Sequence, residues 1–81
     1  MLPDREGNVR VRASFDGAVE LKVRAGQHVE SGQSLCVIEG EHEIETLSAR
    51  NAGIIEEVCV GEGADVAKGA LLVVLREFPA A

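Results

Sequence analysis

Basic side chains are scarce in this sequence, which has 8 Lys and Arg against 14 Asp and Glu and a formal net charge of −6 at pH 7. This acidic excess argues against nucleic acid or an anionic membrane as a partner, because both bind cationic surfaces. Cysteine is scarce too, and two residues are too few for a disulfide framework, which favours a reducing compartment. No apolar run approaches the ~20 residues of a membrane helix, and the first ten residues lack the apolar segment of a signal peptide. We therefore expect a soluble cytoplasmic protein.

The chain is also short, and its sequence lacks the apolar spacing of a helix. A chain of 81 residues allows one small domain and excludes a large catalytic cleft between domains. No window shows apolar residues at a three-to-four spacing between helix caps. Val and Ile are abundant, and the nine Gly are spread along the chain, which is typical of short strands separated by turns. The composition predicts an all-β fold.

The two halves of the sequence resemble each other. The spacing Gly-x-x-Val-x-x-Gly-x-x-Leu begins at Gly26 and recurs, 37 residues later, from Gly63. This repeat predicts two similar β-halves related by an approximate twofold axis, neither of which could bury its apolar face alone. An extra residue in the second half is expected to form a β-bulge at Glu56-Glu57. The glycines assigned to structural turns, where a positive φ is expected, are Gly17, Gly26, Gly32, Gly53, Gly63 and Gly69.

Apolar residues that alternate with charged ones, or that form short continuous runs, indicate the core. Val19, Leu21 and Val23 alternate with charged residues, as in a strand with one buried face. The predicted core comprises Val19, Leu21, Val23, Val29, Leu35, Val37, Leu47, Ile55, Val58, Val60, Val66, Leu72 and Val74.

A charged β-hairpin is predicted between the two halves. An apolar strand precedes Glu39 and a second strand follows, so that the tip lies at about Gly40 to Glu43, where glycine permits the tight turn. Four glutamates surround His42 in this segment, and so many charges make burial of the tip implausible. The candidate interaction residues at the hairpin tip are Glu39, Gly40, Glu41, His42 and Glu43.

In these features the sequence resembles the biotinyl/lipoyl attachment domains, the carrier domains of biotin- and lipoate-dependent enzymes. The resemblance rests on Phe15-Asp16-Gly17, on Val37-Ile38-Glu39 before the hairpin, on Ala49 to Gly53 after it, and on both Gly-x-x-Val-x-x-Gly-x-x-Leu segments. It implies a flattened barrel, or sandwich, of two four-stranded antiparallel sheets with quasi-twofold symmetry. It also implies that partner enzymes perform the chemistry. We accordingly expect an N-terminal extension over residues 1–8, the domain over 9–76 and a tail over 77–81.

The family joins its cofactor to a hairpin Lys, and His42 occupies the corresponding position here. An imidazole cannot form the stable amide that attachment enzymes make, and the only lysines are Lys22 and Lys68, outside the hairpin. No bound cofactor is therefore expected, and neither a catalytic constellation nor an enzyme activity is predicted. The favoured hypothesis is a non-modified module that binds a protein partner, for example an enzyme that handles carrier domains.

Two other hypotheses stay open. One is a genuine swinging-arm carrier of biotin or lipoate, from a carboxylase or a 2-oxo acid dehydrogenase-type complex. It requires a modified Lys22 or Lys68, or a substitution at His42. The other is a small metal or phosphoryl site formed by His42 with Glu41 and Glu43, which the spacing disfavours because adjacent turn residues rarely converge on one ion.

The two cysteines and the second histidine, His28, are predicted to be structural or solvated. Cys36 and Cys59 lie in strand-like apolar stretches, where a free cysteine packs as a small apolar residue. His28 occupies a turn position that assorted polar residues can fill, so no function is predicted for it.

Overall fold

The fold consists of strands joined by short turns. The computed structural model describes residues 8–79. These residues form eight strands and no helix. Among them there is accordingly no helix that could cross a membrane. The strands are β1 (Asn8–Arg12), β2 (Gly17–Leu21), β3 (His28–Val29), β4 (Ser34–Glu39), β5 (Ile44–Ser48), β6 (Gly53–Val58), β7 (Asp65–Val66) and β8 (Leu71–Glu77). The predicted all-β fold is confirmed.

The strands form two four-stranded antiparallel sheets. One, the terminal sheet, has the order β1-β8-β6-β3, and the other, the hairpin sheet, has the order β5-β4-β2-β7. Exchanging strands β1–β4 with β5–β8 converts one order into the other, which is the arrangement expected of two similar halves. This agrees with the predicted pair of four-stranded sheets and its quasi-twofold symmetry.

A β-bulge accommodates the extra residue of the second half. In the pairing of β6 with β8, Ile55 lies opposite Leu75, whereas Glu57 lies opposite Val74. Glu56 therefore has no partner of its own, and its side chain accepts a hydrogen bond from Arg76 Nε at 2.9 Å. The predicted bulge at Glu56-Glu57 is confirmed.

The glycines have two different structural roles. Four of them have positive φ, in the left-handed region where a Cβ is disfavoured: Gly26 (87°), Gly32 (86°), Gly63 (78°) and Gly69 (89°). The assignment of Gly17 and Gly53 to turns is wrong, because these residues begin β2 and β6. Their requirement is steric, since a Cβ on Gly17 would overlap the carbonyl of Glu39 and one on Gly53 the carbonyl of Arg76.

The core lies between the sheets and is aliphatic. Predicted core residues that are buried are Val19, Val23, Val29, Leu35, Ile55, Leu72 and Val74. Five more pack against the core while partly exposed: Leu21, Leu47, Val58, Val60 and Val66. Buried residues outside the predicted core are Ala13, Ile38, Ala49, Val73 and Leu75, together with Cys36, for which packing as a small apolar residue is predicted separately and confirmed.

The prediction that Val37 belongs to the core is wrong. It lies opposite Glu20 on β2 and Thr46 on β5, on the outer face of the hairpin sheet, whereas its neighbours Cys36 and Ile38 are fully buried. Because the run Leu35 to Ile38 is apolar throughout, it shows no alternation from which the buried face could be identified.

The two cysteines differ in environment. Cys36 is buried in β4, but Cys59 is exposed just after β6, so the prediction that Cys59 packs as an apolar strand residue is wrong. Its backbone N–H donates to the carbonyl of Leu72 at 2.8 Å, which holds the chain in place but leaves the side chain outside.

The predicted terminal segments fall only partly within the described residues. Asn8 and Glu77 belong to strands β1 and β8. Residues 1–7 of the predicted extension and residues 80–81 of the predicted tail lie outside them.

Candidate functional site

The hairpin between β4 and β5 is formed by local pairing and a tight turn. The two strands remain in register as far as the pair Glu39 and Ile44. The backbone N–H of Gly40 then donates to the carbonyl of Glu43 at 2.7 Å and closes the turn. Glu41 and His42 are thus left at its tip.

The side chains at the tip lie almost entirely in solvent. Those of Glu41 and His42 are 91% and 87% exposed, and His42 Nε2 lies 4.0 Å from Glu41 Oε1. A polar contact so exposed and so long holds neither side chain in one position. The tip therefore presents an imidazole and carboxylates that a partner can reach without displacing other protein groups.

The loop before β2 supports the base of the hairpin. A Cβ on Gly40 would lie 2.9 Å from Phe15 Cδ1 and 2.9 Å from the carbonyl oxygen of Asp16, so the loop packs directly on this glycine. Gly40 therefore serves close packing as well as the turn, and the hairpin leaves the sheet in a defined direction.

A third segment, the turn before β8, completes this surface. The backbone N–H of Lys68 donates to Asp16 Oδ1 at 2.8 Å, and that of Gly69 donates to the carbonyl of Ala13 at 2.8 Å. The hairpin, the loop and this turn line one shallow depression. We call it the hairpin depression, and its residues are Phe15, Asp16, Glu41, His42, Glu43 and Lys68.

From the sequence, Lys68 is expected in a turn of the second half, apart from the hairpin. It is in that turn, but the fold brings the turn alongside the hairpin tip. The link runs through Asp16, which is 52 residues away in sequence, so no local pattern could indicate it. The other lysine, Lys22, lies elsewhere, with its Nζ 3.1 Å from Glu20 Oε2.

Glu45 does not belong to the exposed tip. Its position on β5 faces the interior opposite Ile38, and its Oε1 is buried without a hydrogen-bond partner. Burial raises the pKa of the nearby Cys36 thiol to about 11, and the negative charge of Glu45 adds to this effect. Of the four glutamates around His42, Glu45 is thus directed toward the core.

The chemistry available at the hairpin depression is polar and solvated. Within residues 8–79, no three His, Cys, Asp or Glu side chains come together in a group that could hold a metal ion. Neither thiol lines the depression: Cys36 is buried, and Cys59 lies beside Glu57, with its pKa raised by desolvation and by that carboxylate. The depression offers three carboxylates, an imidazole and an ammonium group, which suit charge-based recognition.

Two sandwiched four-stranded sheets with an exposed hairpin after the fourth strand place the described residues in the class of small all-β sandwich domains. A family model described as "Biotin-requiring enzyme", for biotin and lipoyl domains, matches residues 8–75. The chain belongs to the biotin/lipoyl domain family.

Solved structures of related domains agree with this assignment. The lipoyl domain of the 2-oxoglutarate dehydrogenase complex from Azotobacter vinelandii is 27% identical with a TM-score of 0.76, over 88% of this chain and 99% of that one. A single-chain, multi-domain long-chain acyl-CoA carboxylase is 27% identical with a TM-score of 0.81, over 100% of this chain. For urea carboxylase from Kluyveromyces lactis, the likeness of 22% identity and a TM-score of 0.74 over 93% of this chain concerns the fold alone.

The chain corresponds to a small part of the two carboxylases. It covers 8% of the acyl-CoA carboxylase chain and 6% of the urea carboxylase chain. No curated protein sequence matches it.

Proposed function

We propose that this domain is a non-modified protein-interaction module of the biotin/lipoyl family, itself non-catalytic and related to carrier-dependent enzyme complexes. The observation that carries the proposal is His42, 87% exposed at the hairpin tip, where the family has its attachment lysine. Attachment of biotin or lipoate requires a primary amine that forms a stable amide, and the segment from Gly40 to Glu43 contains none. The residues at the tip therefore do not fit either group.

The construction of the hairpin supports a role in binding. Its base is held by the packing of Phe15 on Gly40 and by the hydrogen bond from Lys68 to Asp16, so little order has to be gained when a partner binds. Exposed carboxylates at the tip steer an oppositely charged partner and set specificity more than they add affinity. A protein partner is thus favoured over a small molecule, for which the shallow depression offers little enclosure.

The related structures suggest the setting for such a partner. Similar domains occur in an acyl-CoA carboxylase chain and in the 2-oxoglutarate dehydrogenase complex, so we propose an enzyme that handles carrier domains as the partner. A cytoplasmic location is part of the proposal, since Cys36 and Cys59 are both unpaired.

One observation favours the second candidate, a genuine carrier. Lys68 lines the hairpin depression, so an acceptor amine lies beside the tip although not on it. Lys22 is the weaker acceptor because its ammonium group is paired with Glu20. In this alternative, Lys68 bears biotin or lipoate and the hairpin contributes recognition only.

Intact-mass measurement after co-expression with biotin and lipoate attachment enzymes decides between the two candidates. We expect the natural chain to keep its bare mass and the His42→Lys variant to gain one cofactor. The variant shows that the enzymes recognise the fold. A cofactor increment on the natural chain would refute the non-modified module, and its loss in Lys68→Arg but not in Lys22→Arg would assign the carrier role to Lys68.

A further inference from the structure

The outer face of the hairpin sheet carries an apolar side chain that no element within residues 8–79 covers. Ile44, the first residue of β5, is 68% exposed, compared with 41% for Phe78, the other large exposed apolar residue of the described chain. It directly follows the hairpin turn and lies opposite Glu39 on β4. A branched apolar residue this exposed costs solvation free energy and contributes nothing to the core.

The other half of the molecule shows that the fold does not require this residue. In the terminal sheet, β1 and β8 correspond to β5 and β4, and the pair equivalent to Ile44 and Glu39 is Asn8 and Arg76. A polar pair thus occupies the same structural position there. The apolar residue is specific to the hairpin end.

Ile44 is one end of a short apolar strip across the sheet. The strand register places Glu39 between Ile44 and Ala18, and the next pair on the same face joins Val37 to Thr46. Diagonal neighbours on one face of a sheet are about 7–8 Å apart, so one bound segment can contact both Ile44 and the half-buried Val37, the two residues that make up the strip.

Carboxylates surround this strip. On the same face, Glu39 separates Ile44 from Ala18, and Asp65 lies beyond Ala18 on β7. Glu43 precedes Ile44 in the hairpin. Lys22 pairs with Glu20 farther along the sheet, so its charge is already compensated. Lys68 lines the hairpin depression together with Asp16, Glu41 and Glu43, so carboxylates outnumber ammonium groups around the strip and the net charge there is negative.

We propose that the outer face of the hairpin sheet at Ile44 is a docking surface for a protein segment that presents apolar side chains between arginines or lysines. The apolar side chains cover Ile44 and Val37, and the basic groups lie against Glu39, Glu43 and Asp65. This inference rests on the proposed function and names the partner's chemistry. In protein interfaces, apolar contact at the centre usually provides most of the affinity, and charged groups at the rim provide specificity for the partner.

The probe for this surface is a synthetic ten-residue peptide of alternating Arg and Leu, titrated into isotopically labelled protein of verified bare mass and followed by NMR. A Glu and Leu peptide of equal length serves as its charge-reversed counterpart. We expect the basic peptide to shift the amide signals of Glu39, Ile44 and Thr46 most strongly, and its binding to weaken as salt is raised. Equal binding of the acidic peptide, or binding insensitive to salt, would overturn the proposal.

Substitutions then locate the contact. Ile44→Asn copies the equivalent Asn8 and should weaken binding about tenfold, as expected for an apolar residue at the centre of an interface. Phe78→Ser removes the other exposed apolar side chain and should leave binding unchanged. Unchanged affinity in Ile44→Asn, or equal loss in both variants, would refute this docking surface. Because bare-mass protein is used, these outcomes are independent of the cofactor-loading test.

Discussion

Gly17, the first residue of β2, lies directly against the backbone of Glu39, the last residue of β4, so closely that a Cβ on Gly17 would be 2.6 Å from the Glu39 carbonyl oxygen. The same approach occurs in the other half, where Gly53 at the start of β6 lies against Arg76 in β8. Each glycine thus allows two paired strands to meet where one of them emerges from a loop. In the first half this point lies at the base of the hairpin.

The Gly17→Ala variant should be destabilised by about 1–3 kcal/mol, because its methyl group must displace backbone rather than a flexible side chain. The measurement is urea unfolding followed by circular dichroism. Gly61→Ala is the matched control, since a Cβ at Gly61 meets nothing within 4 Å. Its stability should stay within about 0.5 kcal/mol of the natural protein. Equal stability of the two variants would contradict the close approach at Gly17.

Glu45 provides a prediction of opposite sign. Its Oε1 is buried without a partner, on the interior side of β5, at the position that corresponds to Val9 in β1. A buried oxygen without a hydrogen bond costs folding free energy, and a β-branched apolar residue fits this half-buried strand position. Glu45→Val should therefore stabilise the domain by about 1 kcal/mol, measured as a higher urea midpoint.

Thr46→Val is the control for that gain, because it introduces the same side chain on the outer face of β5. We expect it to change stability by less than about 0.5 kcal/mol. A midpoint for Glu45→Val at or below that of the natural protein would mean that the carboxylate is stabilised by its surroundings.

Much of the fold could be predicted because its determinants are local or repeated. The turns that need positive φ are marked by glycine at Gly26, Gly32, Gly63 and Gly69, and the extra residue of the second half becomes the bulge at Glu56. The role of Gly17 could not be recognised in the same way. Glycine serves both turns and close contacts, and only the position of Glu39 distinguishes the two.

The candidate site could be predicted only at its tip. The exposure of Glu41 and His42 follows from local charge density. The support from Phe15 and the neighbouring Lys68 depends on contacts between segments distant in sequence. The orientation of Glu45 is also hard to predict from the sequence. Its acidic neighbours suggest an exposed residue, but the alternation of side chains along β5 directs it toward the interior.

The buried thiol of Cys36 predicts a loss of stability in alkali. Burial, with the negative charge of Glu45, raises its pKa from the ordinary 9.0 to about 11. Between these values the unfolded chain has released the thiol proton and the folded chain still holds it, so rising pH favours unfolding. Well below pH 9 both states keep the thiol proton, so this group adds no pH dependence to the free energy of unfolding. Across the interval the loss should be about 2 kcal/mol.

The Cys36→Val variant isolates this effect, because valine stands at the repeat-equivalent position, Val73, and does not titrate. Urea unfolding of both proteins at intervals from pH 8 to 11 should give stability curves that diverge above pH 9, with the natural protein falling more steeply. Cys59→Ser is measured alongside, because desolvation and Glu57 also raise the pKa of exposed Cys59, and this variant separates its share of the alkaline loss from that of Cys36. Parallel curves for the natural protein and Cys36→Val would show that the Cys36 thiol ionises equally readily in the two states, in conflict with its burial in β4.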